Sequence, residues 1–456
     1  MTDWIPSLQH SPGPRYLAIV ESLEADITGG RVKPGTRLSP QRDLAVLLGL
    51  SLGTVSKAYA EAERRGLIAG EVGRGTFVAP RRDAREPARR GHAVADLTLN
   101  VPPSTGEDRL IATALGSIAA DGNLPDLLGY LPHQGLREHR EAIAAWLATL
   151  GIAADAERLY ITQGAQHGLA VALSLLAARN DVVLAESLTY SGMLALAAQT
   201  GCRLLGVELD RHGMVPKALD RLLGETGARV VYAMPNLQTP TGAVMPQERR
   251  EEIAAIVRRH AAYLIEDDVY AFLFPRPPQP IAALIPERSF YTVSFDKCLA
   301  PGLRIGAMIA PDAFRDRAVN ALRATGWMAA PIQAEVVARL IRDGGLAHQV
   351  ALKRNEAAKR SAIAHRILGR YLRPSPDVAG FHVWLDLPAG RTVMALITQA
   401  ALAGITLAPP GALQSLDHAQ AGVRLCLGGA ATETELERAL TILRDILASA
   451  ESISIV

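Results

Sequence analysis

The stretch PRRDAREPARRGHAVA, residues 80–95, carries no apolar periodicity, and it divides two parts of the chain that are patterned differently. Pro, Arg and Ala without a recurring apolar position build no packed face, so the stretch reads as a solvated linker. Before it, residues 12–79 hold short helical patterns and then Gly-rich punctuation. After it, from residue 96 to 456, short apolar runs such as DVVLAE, RVVYAMP and AYLIEDD alternate with amphipathic stretches. That alternation predicts an α/β unit with a largely parallel sheet. At 456 residues the chain is long enough to bury separate cores on the two sides of the linker.

Composition excludes several classes. Apolar residues at 49% and charged residues at 21% suit a globular protein and argue against wholesale disorder. Cys202, Cys298 and Cys426 form no CxxC pair, so neither a disulfide framework nor a zinc site is expected, and the histidines show no metal-ligand spacing. Reduced thiols fit the cytoplasm. The N-terminus lacks a basic start followed by an apolar run, and the apolar runs elsewhere are too interrupted to span a bilayer. Residues 1–95 hold 14 Lys+Arg against 10 Asp+Glu, a net of +4, while the rest holds 34 against 36, a net of −2. The basic excess sits at one end, as expected where that end meets phosphates.

That end has a definite pattern. RYLAIVESLEADITG, residues 15–29, spaces apolar side chains as a helix does. Gln41–Leu48 predicts a second, short helix with Leu44, Leu47 and Leu48 inward, broken by Gly49. Ser51 is a suitable N-cap for a third helix that stops at Gly66. Two short helices joined by a tight Gly turn make a helix-turn-helix. LIAGE and GTFVAP then flank Val72-Gly73-Arg74-Gly75, which reads as a hairpin, or wing, with Arg74 at its tip. Ser51, Thr54 and Lys57 lie near the start of the third helix, where a recognition helix meets base edges and phosphates. Arg42 and Arg74 can neutralise phosphates. Any one of these cations alone is an ordinary solvated charge; their order along the elements is the informative part.

Residues 29–79, from GGRVKPGTRLSPQR to GRGTFVA, resemble the GntR-type winged helix-turn-helix. The resemblance implies that Arg42, Thr54, Lys57 and Arg74 touch DNA. Leu52 stands where that family usually has Arg, and LSPQR replaces its usual LPS or LPP pattern.

Beyond the linker, VSFDKCLAPGLRIG sets Lys297 between Ser294 and Arg304. A neutral lysine can form a Schiff base with an aldehyde, and Ser and Arg on either side can hold a phosphate. AYLIEDDVY ends an apolar strand at Glu266-Asp267-Asp268, where a buried carboxylate can hold a protonated pyridine nitrogen, and Tyr270 follows. ITQGAQHGLA runs from a strand through Gly164 into a helix beginning near Ala165 and Gln166, an anion-binding turn. Tyr190 lies just past DVVLAE, where a ring could stack on a flat cofactor. Arg424, in VRLCLGGA, can fork a carboxylate. His167 and His382 read as packing or surface histidines, and Cys298 as a packing thiol.

In their order, the GAQ turn, the E-x-x-x-Y segment, the P-T-G loop, EDDVY, the SFDK lysine and the late VRL arginine resemble the fold-type I aminotransferases from about residue 96 onward. The resemblance implies the PLP-dependent transferase fold, with a large mostly parallel sheet domain and a smaller C-terminal α/β part from roughly residue 330. It also implies pyridoxal 5′-phosphate (PLP), covalently held by Lys297, with Asp267 at the ring nitrogen and Tyr190 on the ring. Tyr270 and Thr239 fall at the phenolic oxygen, Ala165, Gln166, Ser294 and Arg304 at the phosphate, and Arg424 at a substrate carboxylate. Tyr130 matches a tyrosine that reaches the phosphate of a neighbouring subunit. Thr239 replaces the family's usual Asn, and Arg179-Asn180-Asp181 its usual Pro-Gly-Asp.

A GntR-type unit before an aminotransferase-like one resembles the MocR family of bacterial regulators. That resemblance implies a double-stranded DNA operator, a small amine, amino acid or PLP as the signal, and a head-to-tail homodimer. The alternative is a working aminotransferase that also carries a DNA-binding unit. A sensor of PLP alone would not need the carboxylate fork of Arg424.

Overall fold

The computed structural model describes residues 4–7, 14–28, 31–32, 36–64, 67–71, 75–78, 94–122, 124–373, 378–388, 390–411, 413 and 421–451. The chain divides into two compact units, Met1–Gly91 and His92–Val456.

In the first unit, α1 (Arg15–Thr28), α2 (Gln41–Leu48) and α3 (Leu52–Arg64) precede β1 (Ile68–Glu71) and β2 (Gly75–Val78). The strands are antiparallel, with Glu71 opposite Gly75, so they form the two sides of the expected hairpin. Its core draws Ile19, Val20 and Leu23 from α1, Leu44 from α2, Val55, Ala58 and Tyr59 from α3, and Ile68 and Val78 from the strands. Burying such side chains contributes about 1.5–3 kcal/mol each. The α2–α3 turn follows from Gly49, whose φ of 64° costs an L-residue but not glycine. Its N–H and that of Leu50 bond back to Val46 and Ala45, closing the end of α2. Ser51 Oγ then accepts from Thr54 N at 3.2 Å and starts α3. Ser56 Oγ donates to Gln41 Oε1 at 2.7 Å and ties the two helices together.

One inward assignment is corrected. Leu44 is fully buried and Leu48 packs at the core's edge, but Leu47 is 54% exposed. Ala45 is the second buried residue of α2. The third helix ends at Arg64, and Gly66, its expected stop, lies outside the described residues.

The second unit is built on seven strands: β3 (Leu159–Thr162), β4 (Val182–Glu186), β5 (Arg203–Val207), β6 (Val230–Ala233), β7 (Tyr263–Asp267), β8 (Ser289–Ser294) and β9 (Gly306–Ile309). Their order across the sheet is β3-β9-β8-β7-β6-β4-β5, with β9 antiparallel to both its neighbours and the other pairings parallel. The apolar runs carry no polar alternation because both faces are covered. Val183, Val230, Tyr232 and Ile265 enter one core, and Leu184, Val231, Ala233 and Leu264 enter the other. Asn180, in the place of the usual glycine before β4, adopts φ 71°, a left-handed conformation that Asn tolerates better than most side chains.

A smaller part packs β10 (His382–Asp386) antiparallel to β11 (Gly422–Cys426). Its core takes Val383, Leu385, Val423 and Leu425 from those strands, Leu436, Leu440 and Leu443 from the last helix, and Ala95 and Leu97 from the opposite end of the unit. Ala95–Asp96 is a short strand parallel to Ile405–Thr406. Residues 95–97 are thus built into the C-terminal part, and the chain then crosses to the carboxyl ends of the central strands.

Candidate functional site

Parallel strands end on one edge of the sheet, and ligands of open α/β folds bind there. Glu186, Asp267 and Ser294 are the last residues of their strands, so the sheet delivers all three to that edge.

Asp267 is 2% exposed. Its Oδ2 accepts from Tyr232 Oη at 3.0 Å, and its Oδ1 is buried without a hydrogen-bond partner. Burial pushes the carboxyl up to about 7, against the pull of Tyr232. A buried acceptor left unmatched is costly unless a donor completes it. Its neighbours are satisfied differently. Glu266 accepts from the backbone N–H groups of Ile281 and Ala282, and Asp268 from Asn236 and Tyr291. Of this carboxylate triplet, Asp267 alone leaves an oxygen open.

Lys297 follows β8 on a partly buried turn, and its Nζ donates to the backbone oxygen of Asn100. Burial lowers its pKa, partly offset by Asp296 and other acidic groups, which favours the neutral, nucleophilic amine. Three segments meet beside it. Gly164, at φ 84°, opens the helix Ala165–Leu176. Arg304 donates to Gln163 O at 2.9 Å and to Asp296 at 2.6 Å, and packs on Gly164. Ser294 Oγ accepts from Asp296 N at 3.2 Å. The unpaired N–H groups of the helix start and the Arg304 guanidinium together suit an anion. Gln166 Nε2 donates to Gly192 O at 3.0 Å, fixing the helix against the Tyr190 segment, while its Oε1 lacks a partner. Tyr190 is half-buried and packs at Gly192.

Gly306 locks this corner. A Cβ there would meet Val293 O at 2.6 Å and Gly164 C at 2.7 Å, both backbone atoms. Gly306→Ala therefore displaces the Gly164 turn, and PLP affinity is expected to fall roughly ten- to a hundredfold. Fluorescence titration with PLP measures this, and unchanged affinity would contradict the assignment of the anion to this turn.

Tyr270 is buried and accepts from Asn100 Nδ2 at 2.7 Å; burial pushes its phenol up, with Arg424 and Thr239 pulling the other way. Arg424, on β11, donates to Thr98 O at 2.7 Å. Tyr130 stands apart. It is 86% exposed, its ring lies 5.7 Å from Trp327, and with Gln163 and Arg304 it borders a cavity of about 700 Å³.

Two residues of the site went unread in the sequence: Tyr232 lies inside an apolar strand, and Asn100 is a polar residue in LTLNVPP. His382, read as a packing or surface histidine, is buried, 3.0 Å from Asn100 Nδ2, its ring 5.6 Å from that of Tyr270. Cys298 is buried, and burial pushes its thiol up to about 12, as suits packing. His167 accepts from Gln163 N and pairs with Thr325 beside the helix start.

Glu186, also fully buried, is pushed up to about 8 by desolvation, partly offset by hydrogen bonds from Gln238 and Met234. Carboxyls raised in the folded state keep protons that the unfolded chain, with pKa near 4, has released. Folding stability therefore falls as pH rises from about 4 through about 8. The buried histidines His139, His167 and His382 are lowered and act oppositely, below about pH 6.5. In the remaining window, roughly pH 6.5 to 8, the contribution of Glu186 to the stability of the PLP-free protein is expected to fall, while the lowered lysines Lys297 and Lys353 act oppositely, and Glu186→Gln is expected to remove the Glu186 part of the slope. Urea unfolding of both proteins at several pH values tests this; parallel curves would refute it.

In the first unit, Arg42 and Lys57 are exposed, on α2 and α3 respectively. Ser51 Oγ and Thr54 Oγ1 are 2.8 Å apart at the start of α3, and Lys57 Nζ lies 4.4 Å from the centre of the Tyr16 ring. These four residues lie on or beside the two helices of the motif. Arg74 lies outside the described residues. Among the described residues no cluster of three or more His, Cys, Asp or Glu could hold a metal ion, and no helix is long and apolar enough to cross a membrane.

Fold and site together define a PLP-binding transferase-type unit joined to a DNA-binding helix-turn-helix. Residues 94–443 match the model for aminotransferase class I and II, and residues 15–78 that for bacterial regulatory proteins of the gntR family. The chain belongs to the aminotransferase class I and II family and has the MocR-type arrangement, with a GntR unit in front. It is 26% identical to the uncharacterized HTH-type transcriptional regulator YdeF of Bacillus subtilis (strain 168), over 97% of this chain and 96% of that protein. It is also 26% identical to the probable rhizopine catabolism regulatory protein MocR of Rhizobium meliloti, over 85% and 82%. Among solved structures, an archaeal alanine:glyoxylate aminotransferase superposes with TM-score 0.72 at 21% identity, covering 79% of this chain and 92% of that one.

Proposed function

We propose that this protein is a cytoplasmic transcription regulator that binds a double-stranded DNA operator through its first unit and reads an amine, an amino acid or PLP with its second. One observation carries the reading. Lys297, the open oxygen of Asp267, and the Arg304 corner converge on one sheet edge, in a chain whose other unit is a helix-turn-helix.

When bound, PLP supplies an aldehyde and an electron-withdrawing ring. In this reading Lys297 is its covalent partner, and Asp267 Oδ1 holds the ring nitrogen's proton. Tyr190 covers the ring. Ala165, Gln166, Ser294 and Arg304 take the phosphate, and Tyr270 and Thr239 face the phenolic oxygen. Arg424 exchanges Thr98 O for the carboxylate of an amino acid. Exposed Leu128, Tyr130 and Trp327 favour a head-to-tail homodimer in which Tyr130 completes the partner's phosphate site. Arg42, Ser51, Thr54, Lys57 and Arg74 make the DNA contacts, with two half-sites set by the two-fold axis.

The test is selection of a binding sequence from a random duplex pool, then DNA affinity against a panel of amino acids and amines. One compound should change the affinity at least about fivefold. Failure to select any sequence, or indifference to every compound and to PLP, would overturn the reading. The complete set of cofactor-type groups also favours a second reading, a working aminotransferase. Repeated recovery of the visible band on adding a 2-oxo acid, with stoichiometric product, would support that one.

A further inference from the structure

The carboxamide of Asn100 stands where Tyr270 and His382 meet. Its Nδ2 is 2.7 Å from Tyr270 Oη and 3.0 Å from His382 Nδ1. On its other side, His382 Nε2 is 3.1 Å from the backbone oxygen of Gln238. The proton positions follow. A backbone oxygen only accepts, so Nε2 carries the hydrogen. His382 is neutral, because burial and then the charges of Arg424 and Lys297 push it down to about 3. Its Nδ1 is therefore a lone pair, and Asn100 must turn its NH2 toward it. The second N–H of that group goes to Tyr270. The Tyr270 oxygen accepts on that side, which leaves its own O–H to be donated elsewhere.

Thr239 also acts on the Tyr270 hydroxyl, pulling its pKa down against burial, and it stands where the resembling enzymes carry Asn. A hydroxyl cannot replace the reach of a carboxamide N–H.

We propose that Asn100, oriented by His382, is a positioning residue that offsets this exchange by aiming and polarising the Tyr270 O–H toward the phenolic oxygen of PLP. The inference rests on the PLP reading above. Hydrogen bonds in series strengthen one another, so a donor behind Tyr270 makes Tyr270 a better donor.

The test is the pH midpoint of the visible absorption band of the PLP-loaded protein. That band titrates with the proton shared between the Lys297 nitrogen and the phenolic oxygen. A hydrogen bond to the oxygen stabilises its anion, so weakening the bond raises the midpoint. Asn100→Leu should raise it by about half a unit to one unit, the worth of one hydrogen bond. Tyr270→Phe should raise it at least as far, and adding Asn100→Leu to that variant should change nothing more. Thr239→Asn should bring the Asn100→Leu midpoint back down. If leucine is not accommodated, Asn100→Ala serves with the same expectations. A band whose midpoint ignores Asn100, or shifts that add fully in the double variant, would overturn the inference alone. A wild-type protein with no visible band would overturn the PLP reading and this inference with it.

Discussion

Lys297→Ala is expected to leave DNA binding in place and to remove its response to amines and amino acids altogether. The first unit has its own apolar core, built from its three helices and hairpin, and no residue of the Lys297 turn contributes to it. Lys297 is the partly buried amine at the sheet edge, with a lowered pKa, beside the Arg304 corner. Without it, PLP has no covalent attachment, and an incoming amine has nothing to exchange with. The change in DNA affinity that an effector produces equals its differential affinity for two states of the protein, so a ligand with no exchange to make shifts nothing. DNA affinity with and without each compound, for wild type and variant, measures this. An undiminished response in the variant would place the signal outside this site.

Arg424→Gln is expected to weaken the response to amino acids by roughly ten- to a hundredfold while sparing amines without a carboxylate. A charge-assisted hydrogen bond to a carboxylate contributes about 1.5–3 kcal/mol, which converts to that range. The guanidinium is already committed to Thr98 O at 2.7 Å, and that carbonyl also accepts from Cys426 Sγ at 3.3 Å, so the variant removes one of its two donors and strands no charge. The fold should hold, because β11 is secured by its ladder with β10 and by Val423 and Leu425 in the core. Dose–response curves with an amino acid and its decarboxylated amine give the readout. Equal losses for both would mean that Arg424 serves structure and not recognition.

Much of the site was legible because its chemistry coincides with local punctuation. Asp267 ends an apolar strand, Lys297 sits between a strand and a Pro-Gly turn, and Gly164 marks the start of a helix. Each is a break in pattern that a linear reading detects. Asn100, Tyr232 and His382 break no pattern. Asn100 and His382 are brought together across 282 positions by the packing of residues 95–97 into the C-terminal part. Pairing at that distance leaves no trace in spacing. Tyr232 alternates in step with its strand, and only the arrival of Asp267 on the neighbouring strand gives its hydroxyl a task. The error at Leu47 has a different cause. Eight residues of α2 make barely two turns, so Leu44, Leu47 and Leu48 fit an inward face equally well as a formal pattern. The core had room for the smaller Ala45, and Leu47 was turned outward.

The stretch from Ala95 to Asn100 has a further consequence. It is the first described backbone after residues 79–93, and within it the chain passes from a strand in one core to two carbonyls that hold the site's cations, Thr98 on Arg424 and Asn100 on Lys297. Fully extended, so few residues reach only about 20 Å, so there is little slack to absorb a shift. A carboxylate arriving at Arg424 competes with Thr98 for the guanidinium. Occupancy of the site is thus registered by a strip of backbone that is at once a strand in the core of the smaller part and a wall of the ligand's own site.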